Sequence, residues 1–229
     1  MLLTTGKMTL EVMVATMSSG MVKTCGIFIL TLVGSLPLGM IVALLGKTRI
    51  PPVRWLISIY LAVIRGTPLM LQLLVWYFGP YYISYAIDPK HAIMIRGWRF
   101  PALILGFIVN YAAYFAEIYR GGIESIPVGQ YEAGEVLGYT KTQTFIHIVL
   151  PQVVKRIMPA ITNEVITLVK DTSLAFTLAY AEVFSLAKQI AASQVSFMPF
   201  LIAGIFYFIA NYLVAFIMKV IEKSLDYYR

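Results

Sequence analysis

The sequence predicts an all-α integral membrane protein: five transmembrane helices and an N-terminal interfacial helix, in one domain over residues 1–229. Three observations predict this. Apolar types make up 59% of the 229 residues and charged types 13%, where a soluble domain runs near one quarter charged. Apolar stretches that reach bilayer length, about 20 residues, recur along the chain. Lys and Arg gather between those stretches, so the formal net charge of +7 fits basic cytoplasmic loop ends rather than a nucleic-acid surface.

Each element has its own signal. Residues 1–20 lack a basic segment leading into a short apolar core, so no cleavable leader is expected. Leu10, Met13, Val14 and Met17 share a helical face and predict an interfacial segment. Spans are expected over 24–46, 55–82, 101–120, 157–184 and 197–220. The second is broken by Arg65-Gly66-Thr67-Pro68, because Pro68 turns Thr67 away from the α conformation. Trp55, Trp76 and Trp98 fall near span ends, with Tyr77, Tyr81, Tyr82 and Tyr85 clustered, as an aromatic belt. The one cysteine, Cys25, excludes an intrachain disulfide and a thiol metal site.

Charge sets the expected orientation. With the loop between the third and fourth spans inside, ten bases are cytoplasmic: Lys47, Arg49, Arg54, Arg120, Lys141, Lys155, Arg156, Lys219, Lys223 and Arg229. Six are external: Lys7, Lys23, Lys90, Arg96, Arg99 and Lys188. That bias predicts an outside N-terminus and a cytoplasmic C-terminus.

The same loop, YEAGEVLGYTKTQTFIHIVLP at 131–151, is polar within an oily chain. Pro127 suits a first helical turn and Gly138 a helix end, which predicts a short helix over 128–137. Thr140 and Gln143 form a candidate capping box opening a second helix. Pro151 is expected to stop or kink that helix before the fourth span. Tyr131, Val136, Leu137 and Tyr139 offer an apolar anchor with a polar rim.

Glu132-Ala133-Gly134, three residues, Gly138, nine residues, Ile148, one residue, Leu150-Pro151 resembles the cytoplasmic E-A-A motif of ABC importer membrane subunits. Gly134 stands where that family usually has Ala, a change that weakens a helix by about 1 kcal/mol. RGTPLMLQL at 65–73, AAYFAEIYRGGIESIP at 112–127 and LVKDTSLA at 168–175 resemble permeases of the polar amino-acid uptake family. The resemblance implies a type I ABC importer transmembrane domain in the bacterial cytoplasmic (inner) membrane, with 128–151 as coupling helices that dock on a separate ATPase dimer. It also implies a second permease subunit, as a homodimer, and an extracytoplasmic solute-binding protein.

Residues within the chain agree with a division of labour. A phosphate-cradling loop needs Gly, four residues, then Gly-Lys-Ser/Thr. Gly46-Lys47-Thr48 ends such a pattern, but Ile41 stands where the first glycine belongs. No enzymatic activity or cofactor is therefore expected of this chain, and ATP and Mg are assigned to the partner ATPase. His91 and His147 lie outside the spans, which leaves no metal-ligand cluster for an intramembrane enzyme. A proton-coupled secondary transporter is the alternative, but it has no use for an ATPase dock.

Ionisable groups inside a bilayer are costly and usually face a cavity. Arg65, Glu117, Glu164, Lys170 and Asp171 lie within or near spans. Asn110 and Glu117 are seven residues apart, as are Glu164 and Asp171, with Thr167 between the latter two. Seven residues return to within about 20° on an α-helix, so two polar stripes facing a wet pocket are expected. Arg65, or backbone freed at Gly66–Thr67, suits a substrate carboxylate, and acids suit an ammonium. With Glu117 and Asp171 neutralising Arg65 and Lys170, Glu164 is left to read a cationic side chain. The expected substrate set is Thr67, Asn110, Glu117, Asn163, Glu164 and Asp171, for a polar, basic amino acid. Glu117, Lys170 and Asp171 are equally suited to internal ion pairs that hold the bundle.

Overall fold

Pro51 opens α2 and Pro68 opens α3, and between them the chain turns through 113°. This computed structural model describes residues 8–91, 93 and 95–225; Lys7 and Arg229, counted in the charge bias, lie outside them. Among the described residues the α-helices are α1 (Leu10–Gly46), α2 (Pro51–Gly66), α3 (Leu69–Ile87), α4 (Arg99–Glu124), α5 (Val128–Val136), α6 (Lys141–Thr144), α7 (Leu150–Asp171), α8 (Val183–Gln194) and α9 (Met198–Ser224). Four helical runs are long and apolar enough to cross a bilayer: Leu10–Gly46, Arg99–Glu124, Lys141–Leu178 and Met198–Ser224. The bent pair α2–α3 makes a fifth.

Chain contacts divide these elements into two compact units. The first comprises Met1–Thr31, Pro68–Phe107 and Thr167–Leu213. Its core joins Met13 and Met17 of α1 to Val183, Ala187 and Ile190 of α8 and to Ile202 and Ala203 of α9. The second comprises Leu32–Thr67, Ile108–Ile166 and Val214–Arg229. Within it α1 and α4 approach closely at Gly39, where an added Cβ would lie 2.9 Å from Phe115 Cβ.

Three boundaries differ from expectation. The N-terminal segment is not a separate interfacial helix: α1 runs unbroken for 37 residues, about 55 Å at the α-helical rise. Ser18 and Ser19 lie within it, their hydroxyls donating back to the Val14 and Thr16 carbonyls. The expected lipid-facing stripe is split, with Met13 and Met17 buried against protein and Leu10 and Val14 exposed. Gly20 lets α8 cross here, since a Cβ there would lie 3.0 Å from the Val183 nitrogen.

Pro151 does not stop its helix. The preceding turn, Phe145–Val149, widens to a π-helix in which the Leu150 N–H donates to the Phe145 carbonyl. A proline supplies no N–H to the carbonyl four residues back and crowds it; one widened turn accommodates both effects. The fourth span also ends early. After α7 a tight 3-10 segment, Thr172–Leu178, leads to Ala179 in the left-handed region, φ 51°. Residues 182–184 thus open α8 rather than finish a span.

Candidate functional site

Pro127 precedes α5, and the helix ends where Gly138 takes φ +74°, a conformation that glycine adopts without strain. The capping box is present: Gln143 N–H donates to Thr140 Oγ1 at 3.3 Å, and Thr140 N–H donates to Gln143 Oε1 at 2.9 Å. Glu132 and Ala133 are exposed, while Gly134 is buried. A Cβ at position 134 would lie 2.5 Å from Thr144 Cγ2 and nearer still to Thr144 Oγ1. Glycine is therefore a packing requirement of the α5–α6 contact, a reason that helix propensity alone does not supply. Ile148, Leu150 and Pro151 are half-buried on the π turn and the start of α7. Val136 and Leu137 stay 88% and 66% exposed, an unpartnered apolar tip.

This tip is fastened to α7 by side chains that sequence reading overlooked. Gln152 Nε2 donates to Gln130 Oε1 at 2.9 Å and to the Ile148 carbonyl at 2.8 Å. The Arg156 guanidinium donates to the Ser125 carbonyl at the entry to α5. The signal was present as two polar residues four apart on one face of the first turns of α7.

Five charges around α4, two of them expected within spans, form a chain of alternating sign. Arg120 straddles Glu117, with Nε 3.2 Å from Oε2 and Nη2 against Oε1, and its Nη1 lies 2.7 Å from Glu124 Oε2. Lys47 reaches Glu124 at 3.9 Å, and Arg65 reaches Glu117 at 3.6 Å. Arg65 also sits 5.8 Å above the Tyr114 ring, a cation–π distance. The expected Arg65–Glu117 pair is present, but Arg120, expected at the cytoplasmic end of the third span, is the nearer partner. Tyr60 donates to the Val109 carbonyl at 2.6 Å, which holds α2 against α4 beside Asn110.

The other proposed substrate residues are dispersed in character. Thr67 is exposed, extended at φ −123° and ψ 147°, and its hydroxyl donates to the Val63 carbonyl at 2.8 Å. Asn110 is buried, Asn163 exposed and Glu164 half-buried, all in the second unit; Asp171 falls in the first. Glu164 and Asp171 each already have an interaction partner within the chain.

A second acid escaped sequence reading altogether. Glu182, fully buried in the first unit, caps α8. Its Oε1 accepts from Ser185 N–H at 2.6 Å, and Oε2 accepts from Phe184 N–H at 2.7 Å and from Tyr207 hydroxyl at 2.8 Å. Burial pushes its carboxyl up from the ordinary range, against three hydrogen bonds that favour the ionised form.

Bilayer-length helices, one of them broken, with an exposed apolar helix tip fastened to the foot of a span, describe a multi-pass membrane protein. Residues 35–227 match the family described as "Binding-protein-dependent transport system inner membrane component", and the chain belongs to it, among the permease subunits of polar amino-acid ABC importers. It is 35% identical over 215 residues to the L-cystine transport system permease protein of Bacillus subtilis (strain 168), covering 93% of this chain and 87% of that one. It is 34% identical over 208 residues to the arginine transport system permease protein of the same organism, covering 90% of each. Among solved structures, an amino acid ABC transporter with histidines matches at TM-score 0.82 and 28% identity, over 97% of this chain and 100% of that one. The inward-facing MetNI methionine ABC transporter shares the fold at TM-score 0.68 and 19% identity, over 95% and 99%.

Proposed function

We propose that this protein carries polar amino acids, preferentially basic ones, inward across the bacterial cytoplasmic membrane, driven by a separate ATPase that docks on residues 128–151. The observation that carries the reading is the exposed Val136–Leu137 tip joined to α7 through Gln130 and Gln152. An apolar anchor with a polar rim suits a partner's groove, and its tie to α7 turns partner movement into span movement. Glu132, Ala133, Gly134, Gly138, Ile148, Leu150 and Pro151 form that coupling element. The assembly comprises two copies of this chain, an ATPase dimer that binds ATP and Mg, and an extracytoplasmic solute-binding protein.

The orientation is N-terminus outside. In a Cys25→Ser background, cysteine at Lys188 should then react with an impermeant reagent on intact cells, and cysteine at Lys141 only after lysis. The reverse pattern removes the cytoplasmic dock.

For the substrate, the arginine-transport relative and the histidine-containing homologue support a basic preference. Thr67, Asn110, Glu117, Asn163 and Glu164 are the contacts in the second unit, and Asp171 is a separate candidate in the first. Glu164 reads the cationic side chain, and Glu117 sets the position of Arg65. Equilibrium binding of radiolabelled arginine, lysine, histidine and glutamine to the purified complex tests this. Glu164→Gln should weaken the cationic ligands by about 10- to 100-fold, the range of a charge-assisted bond, and glutamine little. Equal losses across all four would make Glu164 structural.

A further inference from the structure

The C-terminal half of α3 and the segment leading to α4 enclose a cavity of about 280 Å³. Tyr77, Phe78, Tyr81, Tyr82, Ile95 and Trp98 supply most of its wall. Pro80 explains how the wall is built. A proline within α3 leaves the Trp76 carbonyl without its helical donor, and the Trp98 indole N–H takes that place at 3.1 Å. The indole is thereby fixed by its edge, and its ring is left to face the cavity. Ser84 pins the returning chain, accepting from Ile93 N–H at 2.8 Å while donating to the Tyr81 carbonyl.

None of the described lining side chains is charged. A zwitterionic amino acid would leave both of its charges uncompensated there, so this is not a stop on the transport route. Two bases, Lys90 and Arg96, are exposed in the segment that forms the cavity's outer wall, and Asp88 is the acid nearest to them in the chain. Clustered Trp and Tyr mark the depth at which lipid headgroups meet acyl chains. We infer that the cavity holds an acyl chain of an anionic phospholipid, whose phosphate lies against Lys90 and Arg96. A lipid in this place would steady the external end of α3 through Trp98 and Tyr81.

The test uses the full chain with Trp55→Phe and Trp76→Phe, which leaves Trp98 as its one tryptophan. It is reconstituted in vesicles of phosphatidylcholine containing the same fraction of brominated-chain phosphatidylglycerol or brominated-chain phosphatidylcholine. Trp98 fluorescence should be quenched at a several-fold lower fraction of the anionic lipid, about fivefold for each base that contributes. Lys90→Gln with Arg96→Gln should abolish that preference while quenching by phosphatidylcholine persists, which also reports that the cavity is intact. Equal quenching by both lipids in the parent protein would reduce the cavity to ordinary lipid contact. Absence of quenching by either would mean that protein covers it. Either result overturns the proposal.

Discussion

Glu117 and Glu182 are both acids inside an oily protein, and they are stabilised by opposite means. Glu117 lies in the second unit, partly exposed, between the guanidinium groups of Arg120 and Arg65. Glu182 lies in the first unit, fully buried, and accepts hydrogen bonds from two backbone N–H groups and the Tyr207 hydroxyl. Ion pairs can exchange partners with little change in backbone. A capping carboxylate cannot leave without orphaning the start of α8. The contrast assigns adaptability to the α1–α2–α4 charge chain and fixity to the α8–α9 junction.

The largest expected effect follows from removing the fixed acid. Glu182→Ala would take their acceptor from the Ser185 and Phe184 N–H groups and from the Tyr207 hydroxyl, and should destabilise the protein by about 2 kcal/mol or more. Glu182→Gln keeps an acceptor and should cost roughly half as much. Thermal unfolding of the purified protein in detergent measures both. An unchanged midpoint for the alanine variant would show that α8 does not depend on its cap.

A smaller effect is expected at the adaptable acid. Glu117→Gln loses two partly exposed ion pairs, and such pairs contribute about 1 kcal/mol or less each. Its deficit should shrink in about 1 M salt, where the screening length is near 3 Å, whereas the Glu182→Ala deficit should not. A salt-independent Glu117→Gln deficit would mean that the cluster behaves as a buried network.

Much of this arrangement was legible in the residues. The break at Pro68, the Thr140–Gln143 box and the helix end at Gly138 all follow from local chemistry, and each appears where it was expected. Their causes lie within four residues of the feature. What stayed hidden has distant causes. Glu182 finds its hydroxyl partner 25 residues onward in α9. Gly134 needs its small size because of Thr144 on another helix. Gln130 meets Gln152 across 22 residues. The continuity of α1 also has a distant cause: Met13 and Met17 are buried against α8 and α9, which holds this segment in the first unit's core.

The central claim is that the α5 tip couples a partner ATPase to the spans. Val136 and Leu137 are exposed, so changing both to Asp should leave the fold intact and act only on docking. The decisive measurement is ATP-driven uptake of radiolabelled arginine into proteoliposomes, alongside co-purification of the ATPase and the thermal midpoint of the permease. The account predicts lost co-purification and uptake reduced at least about tenfold, as removal of hot-spot contacts does, with an unchanged midpoint. Wild-type association and uptake in the double variant would contradict it.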